Sequence, residues 1–520
     1  MDACVSETTS ERASTPQDAP ARYDALRWIR WAVVATIAAG FAWRGVRYLG
    51  QFPIWGDEAM LLLNIFERDY AGLTHHLRFA QVAPLLFLWQ EKTALLLFGT
   101  AEWSVHLFPF VAGIAAFLIF WRTCRTTFPP IIAGLAASIL AVSYYPVRHA
   151  CEVKPYAFDL LCSALFAWLA LARLRNPQQS RWLIALVAAA PIAVFSSYPS
   201  VFVAGAVSLV LLPQMRFATW AQRGWFGLFN AVLVASFLAH YGMVAHQQID
   251  VQEAQRTREF LQTYWKDAFP PDDLKQWPLW LVNVHTGNML AYPIGANHGG
   301  STFTFLLVLL GSAALWSNRQ RSLLALCWLP FGLNLVAAIL GKYPFGDSAR
   351  ITLHLAPFIC ILMAHGAAHA LDWIRAPVWR SRLHLELHVL LLGCGLAGIV
   401  RDVVTPFKTE HDRDVRRLAR DIVTHVDPSE PVMLCHQRDE ELLAEFLWYM
   451  RAESLPLCWQ SAGVDSSVQS YWLVQCSNQA PGATAPIPGW KISGSEVRCV
   501  PPENAKVPPM YCRWVHMVRD

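Results

Sequence analysis

Charge is scarce in this chain. Only 15% of its 520 residues are Asp, Glu, Lys or Arg, where soluble domains carry about 25%. That shortage excludes a chain bathed in water on every side. No basic tract and no nucleic-acid-binding motif is present, and the net charge is only +4; a nucleic-acid partner is therefore not expected. Residues 1–21 lack the charged-then-apolar layout of a signal peptide. They are polar and rich in Ser, Thr, Ala and acids, which predicts a disordered cytoplasmic tail, ending near residue 28, before an uncleaved first helix. No internal repeat is visible.

Apolar residues are abundant instead. They make up 55% of the chain, with 23 Trp and 28 Phe among them, and the mean hydropathy is +0.31. This is the composition of a multi-span membrane protein with aromatics at its interfaces. A span needs about 20 apolar residues. Eleven stretches qualify: 29–49, 104–121, 130–146, 157–172, 182–197, 199–213, 225–245, 302–317, 322–341, 351–371 and 385–400. The stretch 81–98 is apolar too, but Glu91 and Lys92 stand at its middle. A charge at the bilayer centre costs about 2.5–3.5 kcal/mol, so a helix lying in the interface is expected there.

Arginine distribution supports that choice. Arg22/Arg27/Arg30, Arg122/Arg125, Arg173/Arg175/Arg181, Arg216/Arg223, Arg319/Arg321 and Arg375/Arg380/Arg382 all fall on one side, which is the cytoplasmic side by the positive-inside rule. The expected fold is mainly α and polytopic, with about eleven transmembrane helices over 29–400, the N-terminus inside and the C-terminus outside. Residues 401–520 read as a small extracytoplasmic α/β domain. Strands are expected at Pro431–Cys435, Tyr471–Gln475 and Met510–Val515, and a helix at Asp439–Met450. Its Cys435, Cys458, Cys476, Cys499 and Cys512 predict one or two disulfides. Neither Cys-x-x-Cys nor zinc-spaced His occurs there.

The chain is organised around Phe52-Pro53-Ile54-Trp55-Gly56-Asp57-Glu58-Ala59, directly after the first span. Pro53 and Gly56 stop that helix, which leaves two adjacent carboxylates at the membrane surface. Such a pair can be a general base, a cation site or a helix N-cap worth about 1 kcal/mol. Further polar groups gather at span ends on the same side: Arg148, Glu152 and Lys154 after the third span, Lys342, Asp347 and Arg350 after the ninth. Two acidic sites and several cations facing one aqueous cleft suit displacement of an anionic leaving group by a hydroxyl. A carboxylate takes the proton, and cations stabilise the departing charge. The bland readings are headgroup anchors for Arg148 and Lys154, a solvated Glu152–Lys154 pair worth at most about 1 kcal/mol, and a snorkelling Arg350. His75-His76 reads as interfacial, and Met289 with Trp265, Trp277 and Trp280 as an aromatic belt.

Trp55-Gly56-Asp57-Glu58-Ala59 resembles the acidic motif in the first outer loop of the glycosyltransferase-C superfamily, polytopic enzymes that use polyprenyl-phosphate-linked sugars. The superfamily includes protein O-mannosyltransferases and lipid A aminoarabinose transferases. Ala83-Pro84-Leu85 through Glu102 is similar to that loop's juxtamembrane helix. Arg148 to Tyr156 is similar to the second outer motif, and Tyr343-Pro344-Phe345-Gly346 with Arg350 to a late outer loop. The resemblance covers about 50–160 well and does not reach 401–520. It implies a sugar transferase of the plasma (inner) membrane, acting on its outer face with a polyprenyl-phosphate donor and a glycolipid, glycan or protein acceptor. Asp57 would be the base, with Glu58 and Glu152 as supporting carboxylates, and Arg148, Lys154 and Arg350 would hold the donor phosphate. No cofactor is required, although Asp57 and Glu152 together offer ligands to a divalent cation. The alternative is a transporter or flippase for a lipid-linked anion, whose charges would be expected at the midplane. A reporter active only outside should be on when fused after Arg350 and off when fused after Arg125 or Arg216; activity at Arg125 would make 81–98 a true span.

Overall fold

The computed structural model of the protein describes residues 18–245, 248, 265–294, 299–426, 429–436, 440–452, 457–459, 469–477, 490–500 and 510–519. Helix α1 (Asp18–Leu49) starts eleven residues earlier than the first predicted span, so 18–28 are helix rather than tail. The chain then turns into α2 (Gly56–Glu67), α3 (Leu85–Phe98), α4 (Glu102–Val105) and α5 (Leu107–Thr127). Next come α6 (Pro130–Ala141), α7 (Tyr144–Arg148), α8 (Tyr156–Arg175), α9 (Arg181–Ser196), α10 (Ser200–Leu211) and α11 (Trp220–His240). Five more complete the apolar part and lead out of it: α12 (Trp277–Thr286), α13 (Gly300–Ser317), α14 (Arg321–Ile339), α15 (Ala356–Asp372) and α16 (Pro377–Val404).

All eleven predicted stretches are helical. Among the described residues, eight helices are long and apolar enough to cross a membrane, or nine if α6 and the bent segment Tyr144–Cys151 form one broken span. The count of eleven is therefore not reached by length and composition. The other two stretches are α1, which carries Arg44 and Arg47 near its end, and α9, which is shorter. Both arginines are buried: Arg44 donates to the backbone oxygens of Gly40 and Ala141, and Arg47 to Asp402 at 2.8 Å.

Helix α3 covers the stretch set aside as a non-span. Its 14 residues measure about 21 Å, short of a hydrocarbon core of about 30 Å. Its charges face the protein rather than lipid headgroups. Lys92 Nζ donates to the Ile65 and Phe66 carbonyls at 3.0 and 3.1 Å, the end of α2. Glu91 is fully buried, and burial together with the nearby Glu58 charge raises its pKa well above the usual range, which favours the neutral acid.

Beyond α16, α17 (Glu410–His425) and α18 (Glu440–Ala452) pack with a five-stranded sheet of β1 (Val432–His436), β2 (Leu457–Trp459), β3 (Ser470–Ser477), β4 (Trp490–Val500) and β5 (Met510–Arg519). The order is β2-β1-β3-β5-β4, parallel among the first three and antiparallel after β3. Cys512 is disulfide-bonded. One buried cluster joins this part to the loop after α1: Leu61, Leu62 and Leu88 share it with Leu418, Phe446, Trp448 and Trp514.

Helices α13 and α15 cross at two glycines. A Cβ on Gly311 would overlap the Leu362 carbonyl oxygen, and one on Gly366 the Leu307 carbonyl oxygen. Small residues allow such backbone approach where lipid supplies no hydrophobic drive. Gly366→Ala should therefore destabilise the chain by about 1–3 kcal/mol, as overpacking does, seen as a lower unfolding temperature in detergent; an unchanged temperature would mean that the two helices separate freely.

Candidate active site

The acidic pair lies on the first turn of α2. Trp55, extended at φ −100° and ψ 166°, precedes the helix. Gly56 is required there because a Cβ would overlap Glu441 of α18. The cap is Glu58, not Asp57. Glu58 Oε2 accepts from the Trp55 amide at 3.4 Å, while its Oε1 accepts from the Val153 amide at 2.5 Å and from His106 Nε2 at 3.2 Å. The capping role expected of the aspartate thus falls to its neighbour three residues beyond the cap position, where a carboxylate reaches back to the free amide.

Asp57 is freed for other partners. Its Oδ1 accepts from Lys154 Nζ at 2.8 Å and from Gln81 Nε2 at 3.3 Å. Its Oδ2 lies 3.7 Å from Arg350 Nη1. Lys154 also donates to Gln81 Oε1 at 2.7 Å. Burial alone would raise the Asp57 pKa, but Lys154 and then Arg350 hold it below the ordinary value, so the carboxylate is ionised at neutral pH.

A second cluster surrounds Glu152. Its Oε1 accepts from Arg148 Nε at 3.2 Å and its Oε2 from His149 Nδ1 at 2.6 Å. Arg148 also donates to the Tyr144 hydroxyl at 2.9 Å. Burial pushes the Glu152 pKa up, but His149, Lys408 and Arg148 hold it well below the usual range. Exposure separates the three carboxylates: the Asp57 side chain is 23% exposed, Glu58 3% and Glu152 5%. Only Asp57 is open to an incoming molecule.

The structure thus brings Asp57, Lys154 and Arg350 together, sets Glu152 with Arg148 beside them, and places Glu58 behind, fixing the backbone between Glu152 and Lys154. Three further residues escaped the sequence reading. Lys408, in the turn after α16, lays its ammonium over the Trp55 ring. Burial lowers its pKa to about 8, against the raising effect of Glu152. Its signal was a lysine just past the last span. Gln81 and Gln248 are uncharged and gave none. Gln248 is buried; it accepts from the Ala83 amide at 3.1 Å and donates to the Leu73 and Ala83 carbonyls, and its own carbonyl accepts from the Leu77 amide. It thereby fixes the loop that carries Gln81.

The aromatic belt is not observed at two of its three tryptophans. Trp265 and Trp280 are buried, as is Met289. The Arg350 guanidinium lies over the Trp265 ring at 5.1 Å and over the Trp55 ring at 5.8 Å. Arg350 is accordingly fixed between two indoles and an aspartate instead of snorkelling. Asp57 and Glu152 each face their own basic partners, and among the described residues no group of three or more His, Cys, Asp or Glu is placed to hold a metal. The donor set does not fit a divalent cation.

The fold, a bundle of long apolar helices with an acidic turn after the first and a mixed sheet beyond the last, is similar to that of ArnT. ArnT from Cupriavidus metallidurans in the apo state matches with a TM-score of 0.51 at 14% identity, over 87% of this chain and 93% of that one. ArnT bound to undecaprenyl phosphate matches with a TM-score of 0.50 at 13% identity, over the same shares. Residues 82–241 match the family model of dolichyl-phosphate-mannose-protein mannosyltransferases. Among curated proteins, none matches the sequence.

Gln248→Leu should loosen the Gln81 loop. Several bonds of ~1 kcal/mol each are lost, so hydrogen exchange over 73–83 should quicken by about tenfold or more; unchanged exchange would show that other contacts hold it.

Proposed function

We propose that the chain is a membrane glycosyltransferase that moves a hexosyl or pentosyl group from a polyprenyl-phosphate donor to a hydroxyl of a glycolipid, glycan or protein. The convergence of Lys154 and Arg350 on Asp57, the most exposed of the three candidate carboxylates, carries this reading. The fold of a protein that binds undecaprenyl phosphate supports it, and so does the mannosyltransferase family match over 82–241. The site is assigned to the extracytoplasmic side of the inner membrane on the arginine pattern.

Lys154, Arg350 and Lys408 receive the donor phosphate. As that anion competes for Lys154 and Arg350, Asp57 loses the cations that depress its pKa and becomes a stronger base. The acceptor hydroxyl gives its proton to Asp57 while its oxygen bonds to the anomeric carbon. The bond from that carbon to the phosphate oxygen breaks, and the electron pair leaves on the polyprenyl phosphate, where the cations stabilise it. One displacement inverts the anomeric configuration. Glu58 positions the 152–154 backbone, and Glu152 positions Arg148 and His149. No step runs through a metal. A transporter would be expected to carry its charges at the midplane of broken helices, whereas Asp57, Lys154, Arg350 and Lys408 all stand outside the helices long enough to span.

Asp57→Asn should lower turnover by at least about 10²-fold with donor binding retained. Lys154→Ala, Arg350→Ala and Lys408→Ala should instead raise the donor KM. Because the Lys408 ammonium titrates near pH 8, its substitution should matter below that pH, where it is charged, and fade above it. Kinetics of purified enzyme with a defined polyprenyl-phosphate sugar check all four variants; an active Asp57→Asn enzyme would remove Asp57 from the mechanism.

A further inference from the structure

Helix α17 is amphipathic. Val415, Leu418, Ala419 and Ile422 are buried in the shared core. Arg413, Arg416, Arg417 and Arg420 fall at the i, i+3, i+4, i+7 spacing that shares one helix face. With Asp421 and Thr424 they line a cavity of about 480 Å³. A solvated helix face mixes acids with its bases; four of these six residues are arginine and one is acidic.

Two of the arginines are fixed beside the end of α1 and the start of α4. Arg416 Nη1 donates to the Gln51 carbonyl at 2.8 Å and to Glu102 Oε1 at 3.3 Å, and Arg420 Nη2 lies 3.5 Å from the same carboxylate oxygen. Gln51 follows the end of α1, and Glu102 opens α4. Immediately beside them Leu49, Leu97, Phe98 and Trp103 are large, apolar and exposed. The Trp103 ring packs on Phe98 at 5.8 Å, and its carbonyl accepts from the Tyr48 hydroxyl at 3.0 Å. A guanidinium-lined hollow above an exposed apolar ledge with an indole at its edge matches a lipid: phosphate at the arginines, chains along the ledge.

From this we infer that the Arg413–Arg420 face of α17 binds the phosphate headgroup of an anionic membrane lipid, and so anchors the C-terminal region on the bilayer surface beside the candidate active site. The inference is independent of the proposed chemistry. Arginine forks hold two phosphate oxygens at once, which gives preference for anionic over zwitterionic headgroups.

Native mass spectrometry of the full chain, with added phosphatidylglycerol or phosphatidylcholine of the same acyl chains, tests it. The protein should retain phosphatidylglycerol at least about fivefold better, as several guanidinium–phosphate contacts together give. R417Q/R420Q, which changes two exposed side chains, should abolish that preference while leaving the Asp57-dependent activity assay in detergent intact. Where the double variant does not fold, R417Q alone should lower retention about twofold or more, the loss of one of several contacts. Equal retention by protein and variant overturns the proposal, as does the absence of a preference. Displacement of the lipid by millimolar inorganic phosphate would also overturn it, by making the hollow a site for free phosphate.

Discussion

The ion pair between Asp57 and Lys154 joins two segments that are 97 positions apart in the chain. One partner stands on the first turn of α2, the other between a short helical turn and α8. A pair this enclosed gains from its attraction only if both members keep their hydrogen bonds, since removing either leaves a buried charge at a cost of about 3–5 kcal/mol. Gln81 meets that condition by bridging the two, donating to Asp57 and accepting from Lys154. Arg350 and Lys408 then stack on indoles, which aims their charges, that of Arg350 toward the second Asp57 oxygen.

Behind the pair, Glu58 does structural work of a different kind. It is nearly sealed from solvent, and its oxygens accept from two backbone amides and a histidine. Adjacent carboxylates in the sequence therefore separate by environment. One is turned inward and satisfied by dipoles; the other faces an opening and is balanced by charges that an incoming anion can compete for. Nearby Glu91 differs again: burial, and then the Glu58 charge, push its pKa well above the usual range and favour its neutral form.

Much of the fold was legible because apolar run length is a one-dimensional signal. Every stretch read as a span is a helix, and 81–98 was separated by two charges, of which Lys92 bonds to carbonyls at the end of α2 and Glu91 is buried. The candidate site was legible wherever charge stood at a span end: Asp57, Glu152, Lys154 and Arg350 are found close together. Neutral polar residues carried no such mark, so Gln81 and Gln248 were passed over. Trp265 and Trp280 were misjudged because composition does not tell a lipid-facing indole from one that packs under a guanidinium. In the C-terminal part, β1, β3 and β5 matched apolar runs, whereas β4, with Gly494 at a register shift, lacks the alternation that marks a strand. Helix α17 was missed although Thr409 and Asp412 cap it reciprocally.

The hydroxyl of Tyr449 on α18 accepts from the Ile54 amide at 2.8 Å, three residues before Asp57. The Gly56 backbone lies against Glu441 of the same helix, and Lys408 comes from the turn leading to this region. The C-terminal segment is thus one wall of the pocket that holds the acidic turn. The chain cannot be divided at the end of α16 into an engine and an accessory: the last quarter of the sequence forms half of the mould in which the first outer loop is cast, and the two halves are expected to be inherited, and to fail, together.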